Sequence, residues 1–269
     1  MPNQGRKQDP IGVFDSGVGG LTVVREIRKR LPEESIVYFG DSARVPYGTK
    51  SKETILRFAE EDINFLKKFN VKIIVIACFS VSSNALDELE EEFPIPIIGM
   101  IDPGVNALSG KNRKKVGVIG TNATIESKAF EKNLKDKFRD IGIFSAACPI
   151  FVPLAEEGWT EGEVPELIAR KYLNPLMAKN IDSLILGCTH YPLLHSIIKK
   201  VVGDKVEIIE PGKEAARLLE KFLDDNDLRA KGEGSLKVYL SDIPRDFDRT
   251  VVNFLGEKPG EIQLVNLQD

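Results

Sequence analysis

Seven short runs rich in Ile and Val recur along the chain, at Ile11 to Phe14, Ile36 to Phe39, Lys72 to Ala77, Val116 to Gly120, Leu184 to Gly187, Val206 to Ile209 and Leu236 to Leu240. A strand with one wet face alternates apolar and polar residues, so unbroken apolar runs of this length point to strands buried on both faces. A turn or a helical pattern follows each run. Ile55, Ala59, Ile63 and Leu66 recur at helical spacing, Ser51 ahead of Glu53 supplies an N-cap with a favourable first-turn charge, and Asn70 marks the end. Phe130, Leu134 and Phe138 repeat that spacing, and Pro192 suits the first turn of a helix through Ile197, Ile198 and Val201. Strands alternating with helices predict an α/β fold with mainly parallel sheets covered on both faces.

The chain also resembles itself. IGVFDSGVGGLTVV from Ile11 matches VGVIGTNATIESKAF from Val116, Val45-Pro46 matches Val152-Pro153, and KIIVIACFS from Lys72 matches SLILGCTHY from Ser183, cysteine on cysteine. The spacing between partners grows slowly in one direction, whereas chance matches scatter. Two similar three-layer α/β domains related by a pseudo-twofold axis are expected, one from residues 1–100 with 210–269 and one from 101–209. Pro-Gly at 103–104 and at 211–212 would mark the crossings. The last part, with its polar linker from Asp224 to Ser235, returns to the first domain to add a strand and a helix.

Charge and cysteine usage exclude several classes. With 37 basic and 41 acidic residues the formal charge is −4, so no overall field favours a nucleic-acid backbone. The basic clusters Arg28 to Arg30 and Lys111 to Lys115 read as solvated helix ends and loops. No apolar run approaches the roughly 20 residues needed to cross a bilayer, and the first ten residues are polar, so a cytoplasmic protein without membrane contact is expected. Cys78, Cys148 and Cys188 are too few for a disulfide framework, and with only His190 and His195 beside them no metal site is expected. DSGVGG lacks the lysine of a phosphate loop and the spacing of a dinucleotide fingerprint.

Cys78 and Cys188 each fall just past the end of a predicted parallel strand, where such sheets bind ligands. Free cysteine is often a small buried core residue, and Cys148, without a partner in the repeat, reads that way. A matched pair facing one interdomain cleft reads differently. Two thiols on opposite sides of a small cavity suit inversion of a carbon stereocentre, one removing a proton while the other delivers one. A thiol's ordinary pKa of roughly 8.5 lets one member be thiolate and the other thiol once neighbours tune them. Asp15 neighbours the first cysteine in this reading; His190 and Glu156 or Glu157 neighbour the second.

The blocks DSGVGGLTV (Asp15 to Val23), YFGDSARVPYG (Tyr38 to Gly48), VGVIGT (Val116 to Thr121), FVPLAEEG (Phe151 to Gly158) and LGCTHYPLL (Leu186 to Leu194) resemble, in order and spacing, those of the glutamate racemases of the aspartate/glutamate racemase superfamily. The resemblance runs from about Ile11 to Gly256. It implies interconversion of L- and D-glutamate in the cytoplasm, without pyridoxal phosphate, other cofactor or metal. D-glutamate would supply peptidoglycan synthesis, and a homodimer is a common form in the family. It further implies Cys78 and Cys188 as the proton-transferring thiols, with Asp15 assisting the first and His190 and Glu156 the second. Asp15, Ser16, Pro46, Tyr47, Gly48, Phe79, Ser80, Thr121, Thr124, Thr189 and His190 occupy its substrate-binding positions. Asp15-Ser16 reads equally as a helix N-cap before a glycine turn.

One position departs from the family pattern. Asn-Thr usually follows the first cysteine, whereas this chain has Phe79-Ser80. Ser80 keeps a hydroxyl, but Phe79 lacks the amide, and a lost hydrogen bond to a charged group costs on the order of 1.5 to 3 kcal/mol. Either the ring turns away and another donor substitutes, or the substrate is another small amino acid or a hydantoin-like ring, since hydantoin racemases resemble this Cys-Phe pairing. A non-catalytic amino-acid-binding relative is the third reading, because fold alone does not fix function.

Overall fold

Successive side chains of the Ile/Val runs enter different cores. Ile11, Val13, Ile73 and Val75 join one cluster, while Phe14, Ile74 and Ile76 join another on the opposite face. This is the period-2 geometry of strands covered on both sides. The computed structural model describes residues 6–110, 113–243 and 247–267, so the first five residues of the polar start, and Lys111 and Asn112 of the second basic cluster, lie outside the described residues.

In chain order the strands are β1 (Ile11–Asp15), β2 (Ile36–Gly40), β3 (Ile73–Ile76) and β4 (Ile97–Ile98), then β5 (Lys115–Gly120), β6 (Gly142–Ala147), β7 (Ser183–Gly187) and β8 (Glu207–Ile209), and finally β9 (Leu236–Leu240) and β10 (Glu261–Leu264). They form two parallel sheets, β10-β9-β2-β1-β3-β4 and β6-β5-β7-β8. The order β2-β1-β3-β4 recurs as β6-β5-β7-β8, so the repeat seen in the sequence is a repeat of topology. The fold is α/β, with two mainly parallel sheets each carrying helices.

The helices are α1 (Leu21–Arg30), α2 (Lys52–Lys67), α3 (Phe79–Asn84), α4 (Leu86–Glu92), α5 (Ile101–Asn106) and α6 (Asn122–Glu126), followed by α7 (Ala129–Lys137), α8 (Phe151–Glu156), α9 (Glu163–Met177), α10 (His195–Val202), α11 (Pro211–Asp225) and α12 (Phe247–Leu255). Ser51 caps α2 by accepting from the Thr54 N–H. One core holds residues of both sheets together with α1, α5 and α11; outer cores lie under α2 on the first sheet and under α9 and α10 on the second.

Several boundaries differ from expectation. Pro192 sits in a 3-10 turn (Tyr191–Leu194), and α10 begins only at His195. Pro103-Gly104 lies inside α5 and Pro211-Gly212 opens α11, so both belong to helices. Gly104 has Phe130 and Pro211 pressed against it, which brings these two segments into contact. The terminal part adds two strands, not one, and β4 and β6 lack an apolar run: β4 has two residues, and β6 reads GIFSAA with half-exposed side chains. Arg28, Lys29 and Arg30 end α1 and pair with Glu257, Glu26 and Glu220, as a solvated helix end does.

Candidate active site

β1 and β3 are neighbours in the first sheet, and their carboxyl ends deliver Asp15 and Cys78 side by side. β5 and β7 do the same in the second sheet, ending at Gly120 and at Gly187, which precedes Cys188. Cys78 and Cys188 are only 4% and 6% exposed, and all three cysteines are free.

The first thiol has acidic and neutral neighbours. Cys78 Sγ lies 3.7 Å from Ser16 Oγ, to which the thiol donates. Burial, and then the Asp15 charge, push Cys78 up to about 12, so it holds its proton at neutral pH. Asp15 accepts from the Gly17 N–H at 3.2 Å and from Thr189 Oγ1 at 3.4 Å. Its burial raises its pKa above the ordinary carboxylate value, with the His190 charge pulling the other way. Asp15 does not cap α1 as the N-cap reading expected: Gly20 holds that position, and Asp15 instead closes the turn before it.

The second thiol faces a cation. His190 Nδ1 lies 3.8 Å from Cys188 Sγ, and Nε2 lies 2.9 Å from Glu156 Oε1. Burial opposes the charge, but the bonds to Cys188 and Glu156 outweigh it and raise His190 to about 10, so the ring is an imidazolium at neutral pH. Glu156 ends α8 and turns its carboxylate to His190, whereas Glu157 offers its carbonyl to Arg249. Thr189 bridges the halves, its hydroxyl lying 3.4 Å from Asp15 Oδ1 and 3.3 Å from His190 Nδ1.

A row of hydroxyls crosses between the sheets. Ser80 Oγ lies 3.0 Å from Thr121 Oγ1, which lies 3.0 Å from Thr124 Oγ1. Gly48 rests on Thr121, where a Cβ would come within 2.6 Å of the threonine. The Val45-Pro46 peptide ahead of it is cis. The Tyr47 ring is turned away from this row: it is fully buried, and its hydroxyl bonds Asp41 and Asp62. Only the backbone of Tyr47 is left to meet a ligand, because its one polar side-chain atom is spent inside the protein. Burial, and then the Asp41 charge, push Asp62 well above the usual carboxylate range. Phe79 is 4% exposed, stacks toward Phe130 with centroids 6.3 Å apart, and borders a small cavity with Met100 and Cys188.

Sequence reasoning missed Asp41, Asp62 and Thr22. Asp41 stands inside the block YFGDSARVPYG and Thr22 inside DSGVGGLTV, so membership of those blocks was the available signal; Asp62 carried none. Among the described residues no three His, Cys, Asp or Glu side chains converge as a metal site. No helix there is long and apolar enough to cross a membrane.

Paired thiols with separate acid and base partners, beside a polar row of hydroxyls, can move a proton on and off carbon from two sides. Comparison with known proteins shows the family. The family model described as Asp/Glu/Hydantoin racemase matches residues 13–219. The glutamate racemase of Geobacter metallireducens is 45% identical over 261 residues, spanning 96% of this chain and 97% of the relative. The structure is similar to the glutamate racemase of Francisella tularensis in complex with D-glutamate, with a TM-score of 0.92, 41% identity, and coverage of 97% and 98% of the two chains. It is also similar to the Thermus thermophilus glutamate racemase in complex with beta-chloro-D-alanine, with a TM-score of 0.89, 40% identity, and coverage of 98% and 99%.

Proposed function

This chain belongs to the Asp/Glu/hydantoin racemase family, and from that premise we propose that it is a glutamate racemase that moves the Cα proton between two cysteine thiols without a cofactor. The observation that carries the reading is the pairing of Cys78 and Cys188 at matching strand ends of two sheets with the same strand order, each thiol with its own ionisable partner. Residues 1–100 with 210–269 form the domain of the first thiol and 101–209 that of the second.

In one direction Cys188 is the base, and its sulfur, beside the His190 imidazolium, takes the proton from Cα. The electron pair left behind is held on Cα and its carboxylate. The Cys78 thiol then gives its proton to the opposite face, so one proton leaves, another arrives, and the charge passes from one sulfur to the other. The reverse direction exchanges the roles. Asp15 assists Cys78; Glu156 holds His190 and keeps it charged. Ser16, Ser80, Thr121, Thr124 and Thr189, with backbone from Pro46 to Gly48, receive the substrate's carboxylates and amine. Phe79 keeps its ring against Phe130, and the row of hydroxyls replaces the missing amide. A cytoplasmic homodimer supplying D-glutamate to peptidoglycan synthesis completes the reading.

The test is circular dichroism of purified protein with D-glutamate and, separately, L-glutamate. Ellipticity should decay to zero from both sides, and Cys78→Ala or Cys188→Ala should each lower the rate by roughly a thousandfold or more. A folded wild type that moves neither enantiomer, yet acts on aspartate or a hydantoin, would transfer the reading to the substrate class that Phe79 favours.

A further inference from the structure

The turn that follows Asp15 meets the loop that carries Cys188 and His190, and two residues outside the proposed machinery make that contact. Thr22 is 4% exposed in the first turn of α1. Its hydroxyl lies 2.9 Å from the Gly19 carbonyl and 2.9 Å from the Thr189 carbonyl. The first is a back-bond within the turn. The second spans 167 residues of sequence and joins the first sheet's helix to the second sheet's loop. A hydroxyl has one proton, so it serves one carbonyl fully or both weakly. If the loop lifts away, the proton stays with Gly19, and the donor is never left unsatisfied. What the contact holds is the Thr189 carbonyl, a buried acceptor that loses this donor if the loop moves.

Gly19 shapes the other side of the contact. A Cβ there would lie 2.4 Å from Thr189 Oγ1 and 2.5 Å from His190 Nδ1, closer than packed atoms approach. Gly19 is not among the residues with positive φ, so alanine can adopt its backbone, and space alone requires glycine.

We infer that Thr22 and Gly19 form a latch that registers the Cys188-Thr189-His190 loop against Asp15, and that both act as positioning residues through that loop. The inference rests on the racemase reading for its kinetic consequence but not for its structural one. Losing the latch shifts the thiol relative to the carbon it must reach, and a misplacement of about 1 Å costs on the order of a hundredfold in rate.

The experiment compares wild type, Thr22→Val, Thr22→Ser and Gly19→Ala by two readouts well below the melting temperature of each. The first is the rate at which iodoacetamide alkylates Cys188, mapped by mass spectrometry, which needs no substrate. The second is kcat and KM on both glutamate enantiomers. Thr22→Val and Gly19→Ala should each speed Cys188 alkylation several-fold and lower kcat by roughly ten- to hundredfold with KM changed far less. Thr22→Ser, which keeps the donor, should stay within about twofold of wild type on both. Equal alkylation rates in all four proteins, or a Ser variant that fails as far as Val, would overturn the latch. An inactive wild type whose Cys188 still becomes reactive in Thr22→Val and Gly19→Ala would overturn the racemase reading and leave the latch standing.

Discussion

The halves around Cys78 and Cys188 share a strand order and differ in charge. Beside Cys78 stand a buried carboxyl and a serine, and the thiol is pushed up to about 12. Beside Cys188 stands an imidazole raised to about 10 and braced by Glu156. One side keeps a proton on sulfur, while the other keeps a positive charge next to sulfur. Duplicated topology thus supplies two thiols in equivalent places, and a handful of side chains at the strand ends makes them unlike. That asymmetry suits the proposed two-base inversion, which needs one proton donor and one acceptor at the same moment. Two identical half-sites would hold two thiols or two thiolates.

The strongest way to break this comparison is His190→Asn, which removes the cation. It should lower kcat/KM by roughly a hundredfold or more. The loss should be equal from L- and from D-glutamate, since the equilibrium constant between enantiomers is one and both directions cross the same barrier. An unchanged kcat/KM would refute the role of the cation. The same variant tests the charge itself. His190 binds its proton more tightly folded than unfolded, so its stabilisation is full below the ordinary value of 6.5 and is lost as pH rises toward about 10. Cys78 adds a further decline only above the ordinary thiol range, where the unfolded thiol ionises. Thermal unfolding between pH 6.5 and 9 should therefore show wild type losing stability while His190→Asn stays nearly flat in that window.

Glu156→Gln sharpens the comparison less severely. Its side chain is 36% exposed, so solvent shares its load, and the amide still bonds His190. The rate should fall by about tenfold, and the His190 decline in stability, still starting near 6.5, should be smaller and end at lower pH.

The smallest effect on chemistry is expected from Tyr47→Phe. The ring stays packed against Phe58, but the buried Asp41 and Asp62 lose a hydroxyl. Unfolding in denaturant should show a loss of about 1 to 3 kcal/mol, with KM affected more than kcat because the loop ending at Gly48 loosens. An unchanged denaturant midpoint would show that this hydroxyl does not brace the loop.

Much of this arrangement was legible in the residues. The strands around both thiols were visible because they are buried on both faces and so carry no polar interruption. β6 and β4 were not visible: the first is a half-exposed edge and the second has two residues, so neither carries a hydrophobic pattern. The pairing of Cys78 with Cys188 could be read from the internal repeat. The choice of Glu156 over Glu157 rested on family resemblance alone, because adjacent residues at a helix end differ only in where the helix turns them. The sequence left open whether the Phe79 ring turns away or reshapes the pocket, because the ring's neighbour, Phe130, lies 51 positions away.

By itself the sequence determined what depends on local order: which segments are strands, that the topology repeats, and that a thiol ends each matching strand. These follow from steric and hydrophobic preferences acting over a few residues at a time. Tertiary structure alone decided which side chains meet. Thr22 reaches Thr189, Thr189 spans Asp15 and His190, and Tyr47 turns inward to Asp62, all through contacts set when the two sheets and their helices close on a shared core. No local pattern encodes such contacts, because their partners are fixed by the packing of the whole chain.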